Sequence, residues 1–169
     1  MVYTKSQLAW IGLRLSLGFM FFWAFIDKLF GLGFSTCRDK ATGAVTYLCN
    51  SAWISGGSPT MGFLKNATTG PLKPLYGFLA DNLLIFTDIL FMAALLVIGI
   101  TMLTGIEMKK GAYVGALLSF MMWTALLLPA NNPIIDDHIV YLFAFLVLAF
   151  SNADTFFSLK KKFRKKDKR

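Results

Sequence analysis

The sequence has few of the side chains that bind metals or cofactors. Among 169 residues it contains one histidine and two cysteines, so the chain cannot supply both axial ligands of a bis-histidine haem. It has no HxxxH or ExxH pair, and no glycine-rich dinucleotide or phosphate motif. We therefore predict no metal site and no covalently bound cofactor. Any electron transfer would then use an organic partner such as a membrane quinone, or a cofactor carried by another subunit.

Charge is also scarce. Charged residues make up 15% of the chain against 56% hydrophobic residues, and the mean hydropathy is +0.61. A soluble domain of this size carries more charge. The apolar residues form runs at about 7–30, 83–103, 111–128 and 138–157, which is the pattern of membrane-spanning helices. We predict an all-α membrane protein, with a four-transmembrane-helix bundle over residues 1–159.

Basic residues predict the topology. The end of the chain, 160–169, holds eight of the seventeen Lys and Arg residues, while Lys109 and Lys110 lie between spans two and three and Lys5 precedes span one. The positive-inside rule then predicts a multi-pass cell-membrane protein with both termini cytoplasmic and with 31–82 and 129–138 outside. The tail is expected to bind anionic lipid headgroups rather than nucleic acid, because no fold beside it would read a base.

The connection 31–82 is too long for a plain loop and is expected to fold on its own. Its segment "CRDKATGAVTYLC" predicts a hairpin turning at Thr42 and Gly43 and closed by a structural disulfide between Cys37 and Cys49. A redox-active pair is the alternative, although the spacing differs from the CxxC of exchange catalysts. Two short interfacial helices are expected after this hairpin, one opening at Pro59 and one within 71–82.

Ionisable groups inside the spans are costly and therefore mark candidate site residues. Arg14, Phe21, Phe25 and Lys28 fall on one helical face of span one. Arg14 either snorkels to the inner headgroups or faces the bundle, and Lys28 either anchors the outer interface or faces the bundle. Asp88 lies more than a turn inside span two, so a buried partner is expected for it.

Several of these groups lie near the outer ends of the spans. We predict a polar cluster of Lys28, Asp88 and His138, with further carboxylates at its rim (Asp27, Asp136 or Asp137). Lys28 would hold an anion there, and His138 or a carboxylate would pass protons as a quinone is reduced. A purely structural ion-pair network is the alternative, and both interpretations require contact between Lys28 and Asp88.

An aromatic-lined slot is the predicted quinone site. It would be formed by side chains of span one, with cations at its two ends: Phe21, Trp23 and Phe25 together with Arg14 and Lys28. Trp23 is also expected as an interface-belt residue.

The stretch "LRLSLGFMFFWAFIDKLFG" resembles the opening of DoxX-type membrane proteins. "GGSPTMGFLKNATTGP" and "NNPIIDDH" are similar to the DoxD branch of that family, whose members are small membrane subunits of an archaeal thiosulfate:quinone oxidoreductase. The resemblance extends over the whole chain and implies a four-helix bundle, a quinone partner and a second subunit similar to DoxA.

Two functions are therefore expected. In the first, the chain is a subunit of a quinone-linked oxidoreductase that takes electrons from thiosulfate or another small sulfur anion at the outer face. In the second, it is a non-catalytic accessory subunit of a larger respiratory or metabolic membrane complex. Homo-oligomerisation is compatible with both.

Overall fold

The computed structural model describes residues 3–129 and 132–159. Within these ranges the chain is all-helical, as predicted, and its five α-helices are α1 (Lys5–Phe30), α2 (Lys73–Asn82), α3 (Leu84–Thr104), α4 (Met108–Ala125) and α5 (Asp137–Phe150). Short helical turns of other types span Trp53–Ser55, Phe63–Ala67 and Ala153–Thr155. The predicted basic tail, 160–169, lies outside the described residues.

Clear end signals fix helix α1. Thr4 caps its start in a capping box with Gln7, in which each side chain accepts a hydrogen bond from the other residue's backbone amide. Gly31 ends the helix in the left-handed conformation, with φ 64°, and donates its amide to the Asp27 carbonyl at 2.7 Å. A side chain at Gly31 would also meet Cys37 Sγ, so the disulfide region packs directly on the end of this helix.

Helices α1 and α3 are both long and apolar enough to cross a membrane, whereas α5 is a shorter apolar helix. The 21 residues of α3 extend about 31 Å, which matches the hydrocarbon thickness of a bilayer.

The helices pack as a chain of neighbours. Helix α1 packs on α3, α3 on α4, and α4 on α5, with a smaller contact between α5 and α1. The core between them contains Leu17, Ile98, Met102, Ala112 and Phe145, all of them buried. The close approach of α4 to its neighbours depends on small residues along one of its faces, which is typical of helices packed in membranes.

Helix α5 ends at Phe150, short of the predicted end near Phe157. Ser151 leaves the helix in an extended conformation. Its hydroxyl donates to the Leu148 carbonyl and accepts the Ala153 amide, so its side chain competes with the helical hydrogen bonds. A short turn, Ala153–Thr155, follows in place of further α-helix.

The connection 31–82 is called the outer connection below, after its predicted side. It has the predicted disulfide between Cys37 and Cys49, with Cα atoms 5.7 Å apart. The predicted turn is present as well, because the Gly43 amide donates to the Asp39 carbonyl and the Asp39 amide to the Ala44 carbonyl. Instead of regular strands, the described residues form one isolated antiparallel bridge, between Arg38 and Val45.

The Asp39 side chain stabilises this turn. Hydrogen bonds from the backbone amide and the hydroxyl of Thr42, and from the Ala41 amide, hold the pKa of Asp39 below its ordinary 3.8. Beyond the turn, the helix expected to open at Pro59 is present as a short helical segment that begins at Met61 and includes the π-type turn Phe63–Ala67. The helix expected within 71–82 forms as α2.

Candidate functional site

A largely apolar cavity of about 200 Å³ lies between α1, α3, α4 and α5. Phe21 of α1 and Phe91 of α3 line two of its sides. The lining residues with polar side chains are Ser119 on α4 and His138 and Tyr141 on α5. An apolar space with a few polar groups is the usual form of a site for a small organic ligand.

The Ser119 hydroxyl is the most unusual polar group of this cavity. The side chain is 2% exposed, and its Oγ has no hydrogen-bond partner in the described part of the chain. An unpaired buried hydroxyl costs about 1–3 kcal/mol. A ligand that accepts a hydrogen bond from Ser119 would therefore recover free energy that the empty protein lacks.

The cavity borders the small-residue face of α4. Gly111, Gly115 and Ser119 follow one another at four-residue spacing and share a face of α4. Thr101 packs against Gly111, and the Phe145 ring packs against Gly115. Ser119 is the next residue on this face, and it borders the cavity.

His138 is held by the residue that begins its own helix. Its Nδ1 lies 2.7 Å from Asp136 Oδ2, and its backbone amide donates to Asp136 Oδ1 at 3.0 Å. The imidazole edge meets the Tyr141 ring at a centroid distance of 6.3 Å. The hydrogen bond between Nδ1 and Asp136 fixes the orientation of the ring and leaves Nε2 for another partner. This arrangement is common for histidines that transfer protons.

The same histidine also borders a second, outer cavity. That space has a volume of about 610 Å³ and is more polar, with Asn132, Asp136 and Asp137 on its walls. His138 thus lies between the outer cavity and the apolar cavity of Ser119. Asp137 is exposed and, unlike Asp136, makes no side-chain hydrogen bond among the described residues.

Lys28 lies beside the apolar cavity. Its Nζ is 5.9 Å from the centroid of the Phe91 ring, which lines that cavity. Among the described residues no carboxylate oxygen lies within 4.0 Å of this ammonium group. The Lys28 side chain therefore lies near the cavity without a carboxylate in ion-pair contact in the described part of the chain.

The predicted ion pair between Lys28 and Asp88 is not formed. Asp88 Oδ1 instead accepts hydrogen bonds from Ser58 Oγ at 2.9 Å, the Thr60 amide at 3.1 Å and Thr60 Oγ1 at 2.5 Å. The outer connection folds back over α3 and brings these groups to the carboxylate. A buried partner for Asp88 was expected, but it consists of hydroxyls and an amide rather than a cation.

Asp27 was expected at the rim of a polar cluster. It is instead buried beneath the start of the outer connection. It is 1% exposed and accepts hydrogen bonds from the amides of Phe34, Ser35 and Thr36 and from the Ser35 hydroxyl, at 2.7 to 3.0 Å. These bonds satisfy backbone amides that follow the end of α1. Asp27 therefore has a structural role in the loop.

Arg14 faces the interior of the bundle, the second of the two alternatives, and does not line the cavity. The side chain is 0% exposed and donates to the carbonyls of Ala153 at 3.1 Å, Phe156 at 3.0 Å and Phe157 at 2.7 Å. Each of these carbonyls follows the early end of α5. Arg14 thus supplies the hydrogen bonds that further helical turns would have made.

Of the aromatic residues predicted to form the quinone slot, Phe21 lines the cavity and Trp23 and Phe25 do not. Trp23 stacks on Phe19 and meets the edge of Phe34, with centroid distances of 5.8 and 5.0 Å. Phe91, Ser119 and Tyr141 were not predicted from the sequence. For Ser119 a signal exists, since it continues the four-residue spacing of Gly111 and Gly115.

Within the described residues, no group of three or more His, Cys, Asp or Glu side chains is placed to hold a metal ion. Comparisons with protein-family models, curated proteins and solved structures find no match to this chain. Its function must therefore be inferred from the cavity and the groups around it.

Proposed function

We propose that α1, α3, α4 and α5 are four membrane spans. Large apolar side chains are exposed on the two shorter helices as well as on the two longer ones. Leu117 of α4 is 61% exposed and Phe143 of α5 is 58% exposed. Such a surface on every helix of the bundle favours contact with lipid.

In this arrangement both chain ends lie in the cytoplasm and 31–82 lies outside. The basic residues near the ends and between α3 and α4 support this orientation. The disulfide between Cys37 and Cys49 also supports it, because disulfides persist on the oxidising side of a membrane.

The chain acts, on this proposal, as the quinone-binding membrane subunit of an oxidoreductase. The observation that carries the proposal is the buried Ser119 hydroxyl, which has no partner and borders an apolar cavity that His138 also lines. A quinone has a flat apolar ring and carbonyl oxygens that accept hydrogen bonds. The ring suits the walls of the cavity, and Ser119 supplies a donor for one carbonyl.

The groups around the cavity suit quinone reduction. A quinone takes up two electrons and two protons to become a quinol. His138 and Asp136 form a path for protons from the outer cavity. The electrons come from a small sulfur anion such as thiosulfate, through a second subunit similar to DoxA. Lys28 is the residue that would hold this anion near the outer side.

Equilibrium binding of tetramethylbenzoquinone, a quinone without a tail, tests this proposal. Ser119→Ala removes the donor and is expected to weaken binding about five- to tenfold, the value of one hydrogen bond. Ser16→Ala is the matched control, because Ser16 is an exposed serine of α1 outside the cavity, and it should bind as the unchanged protein does. Equal affinity of all three proteins, or no binding to any, would contradict the proposal.

An accessory role without catalysis is the second candidate. It is favoured by Arg14, Asp27 and Asp88, whose hydrogen bonds all serve the backbone or loop hydroxyls of this chain. Under this alternative the protein copurifies with a membrane complex in mild detergent and binds no quinone. Purification followed by the same binding measurement separates the two functions.

A further inference from the structure

A second apolar space adjoins the cavity of Ser119. It is a groove of about 360 Å³ between α3 and α4, and it has almost no polar surface. Phe91 and Leu118 line both this groove and the cavity. These two side chains therefore form the boundary between the two spaces.

The groove opens on the outer surface of the bundle. Leu90 and Leu117, on its two sides, are 53% and 61% exposed. Between them Ala93 and Ala94 add little volume, so the space between α3 and α4 stays open. In a membrane this face of the helix pair contacts the acyl chains.

The cavity alone is too small for a whole membrane quinone. Pockets for drug-sized ligands have volumes of roughly 300–1,000 Å³, whereas the cavity of Ser119 has about 200 Å³. It has room for a ring, and a ligand with a long tail must extend beyond it. The groove that shares Phe91 and Leu118 is an apolar continuation.

We propose that the groove between α3 and α4 holds the isoprenoid tail of the quinone whose ring lies beside Ser119. The ligand is then a polyprenyl-tailed membrane quinone that enters sideways from the lipid, between Phe91 and Leu118. This inference rests on the proposed function and adds the class of quinone and its route. A lipid acyl chain is the alternative occupant of the groove. It carries no quinone ring, so it would not place a group in the cavity of Ser119.

The test compares two quinones that share a ring, one without a tail and one with a ten-carbon tail, on protein in lipid nanodiscs. Ala93→Phe places a large side chain in the groove. It is expected to weaken binding of the tailed quinone about tenfold, the value of losing roughly two buried methylene groups, without changing the affinity for the tailless quinone. The tailed quinone partitions into the lipid to the same extent with each variant. This partition therefore cancels when the apparent affinity of a variant is divided by that of the unchanged protein.

Ala9→Phe is the matched control, since Ala9 is an exposed alanine of α1 outside both spaces. It should leave both affinities unchanged. Equal weakening of both quinones by Ala93→Phe, or no weakening of the tailed one, would overturn the tail assignment. If the tailless quinone does not bind the unchanged protein, the proposed function itself fails.

A measurement on the unchanged protein covers the case in which Ala93→Phe does not fold. A quinone with a photoreactive group at the end of its tail is bound and irradiated, and the labelled peptides are identified by mass spectrometry. Labels on α3 and α4 around the groove support the assignment. Labels confined to α1 or α5 would overturn it.

Discussion

Arg14 shows how a charge is accommodated deep in an apolar helix. Lipid cannot hydrogen-bond the backbone, so irregular segments at membrane depth need partners from the protein. Arg14 bonds the carbonyls of Ala153, Phe156 and Phe157. Asp27 likewise accepts hydrogen bonds from the backbone amides that follow α1.

Removal of Arg14 should therefore destabilise the protein strongly. Arg14→Met leaves one buried and two partly buried carbonyls without donors and removes a buried charge, and we expect a loss of about 3 kcal/mol in the free energy of unfolding. Lys5→Met is the control, because Lys5 is exposed at the start of α1 and its change should cost less than about 0.5 kcal/mol. Thermal unfolding in detergent measures both, and equal midpoints would refute this role of Arg14.

Lys28 and Asp88 should act independently. Asp88→Leu leaves the Thr60 amide and the hydroxyls of Ser58 and Thr60 without an acceptor, and a loss of about 2–3 kcal/mol is expected. Adding Lys28→Met should not restore stability, because the two side chains form no ion pair. A double-mutant cycle on unfolding is expected to give a coupling below about 0.5 kcal/mol. A clearly larger coupling would mean that the two charges do interact.

At this scale the sequence marked the unusual side chains but not their partners. Arg14, Asp27 and Asp88 stand out because charge inside a span is costly. Their partners are backbone groups and hydroxyls of irregular segments, whose positions depend on where α5 ends and how the outer connection folds. A pairing of charge with charge was the simplest expectation, and for Lys28 and Asp88 the structure does not form it.

At the scale of elements, the long apolar runs locate α1, α3 and α4 within a few residues, because burial and lipid contact both favour continuous apolar sequence. The predicted end of α5 near Phe157 was wrong, since Ser151 stops the helix within an otherwise apolar stretch. In the outer connection the sequence predicted the turn at Gly43, the disulfide and helix α2, which depend on local turn chemistry, on covalent chemistry and on a local helical sequence.

The disulfide is expected to be structural. Replacing Cys37 and Cys49 together by Ser should lower the free energy of unfolding by about 3 kcal/mol, since the bond closes a loop of moderate length. Quinone binding should persist, because neither cysteine lines the Ser119 cavity. Thermal unfolding and quinone titration on the same sample test both statements. Loss of quinone-linked activity in a protein that stays folded and still binds quinone would favour a redox-active pair.

At the scale of the whole molecule, the predicted polar cluster separates into two groups. Asp27 and Asp88 are occupied by the outer connection, which they hold onto α1 and α3. Lys28 and His138 remain beside the apolar cavity. The cavity itself was not predictable from the sequence, because it depends on how side chains of four helices pack around Ser119.

The pair of Asp136 and His138 allows the proposed proton path to be tested without loss of the helix start. Asp136→Asn keeps an oxygen for the amides of His138 and Ile139, and Asn caps helices well. It removes the carboxylate oxygen that lies 2.7 Å from Nδ1 and orients the imidazole. We expect the rate of quinone reduction, in membranes that contain the protein and its redox partner, to fall by roughly 10–100-fold. The affinity for quinone should change little, because Asp136 does not line the inner cavity.

Asp137→Asn is the matched control for that change. The same substitution one residue later removes an exposed carboxylate that makes no side-chain hydrogen bond in the described part of the chain. Its reduction rate should stay within about twofold of the unchanged protein, since a surface charge outside such contacts has a small effect. If both variants slow the reaction equally, the negative charges act through their general electrostatic effect and not through the contact between Asp136 and His138. If neither slows it, protons reach the quinone by a route that avoids His138.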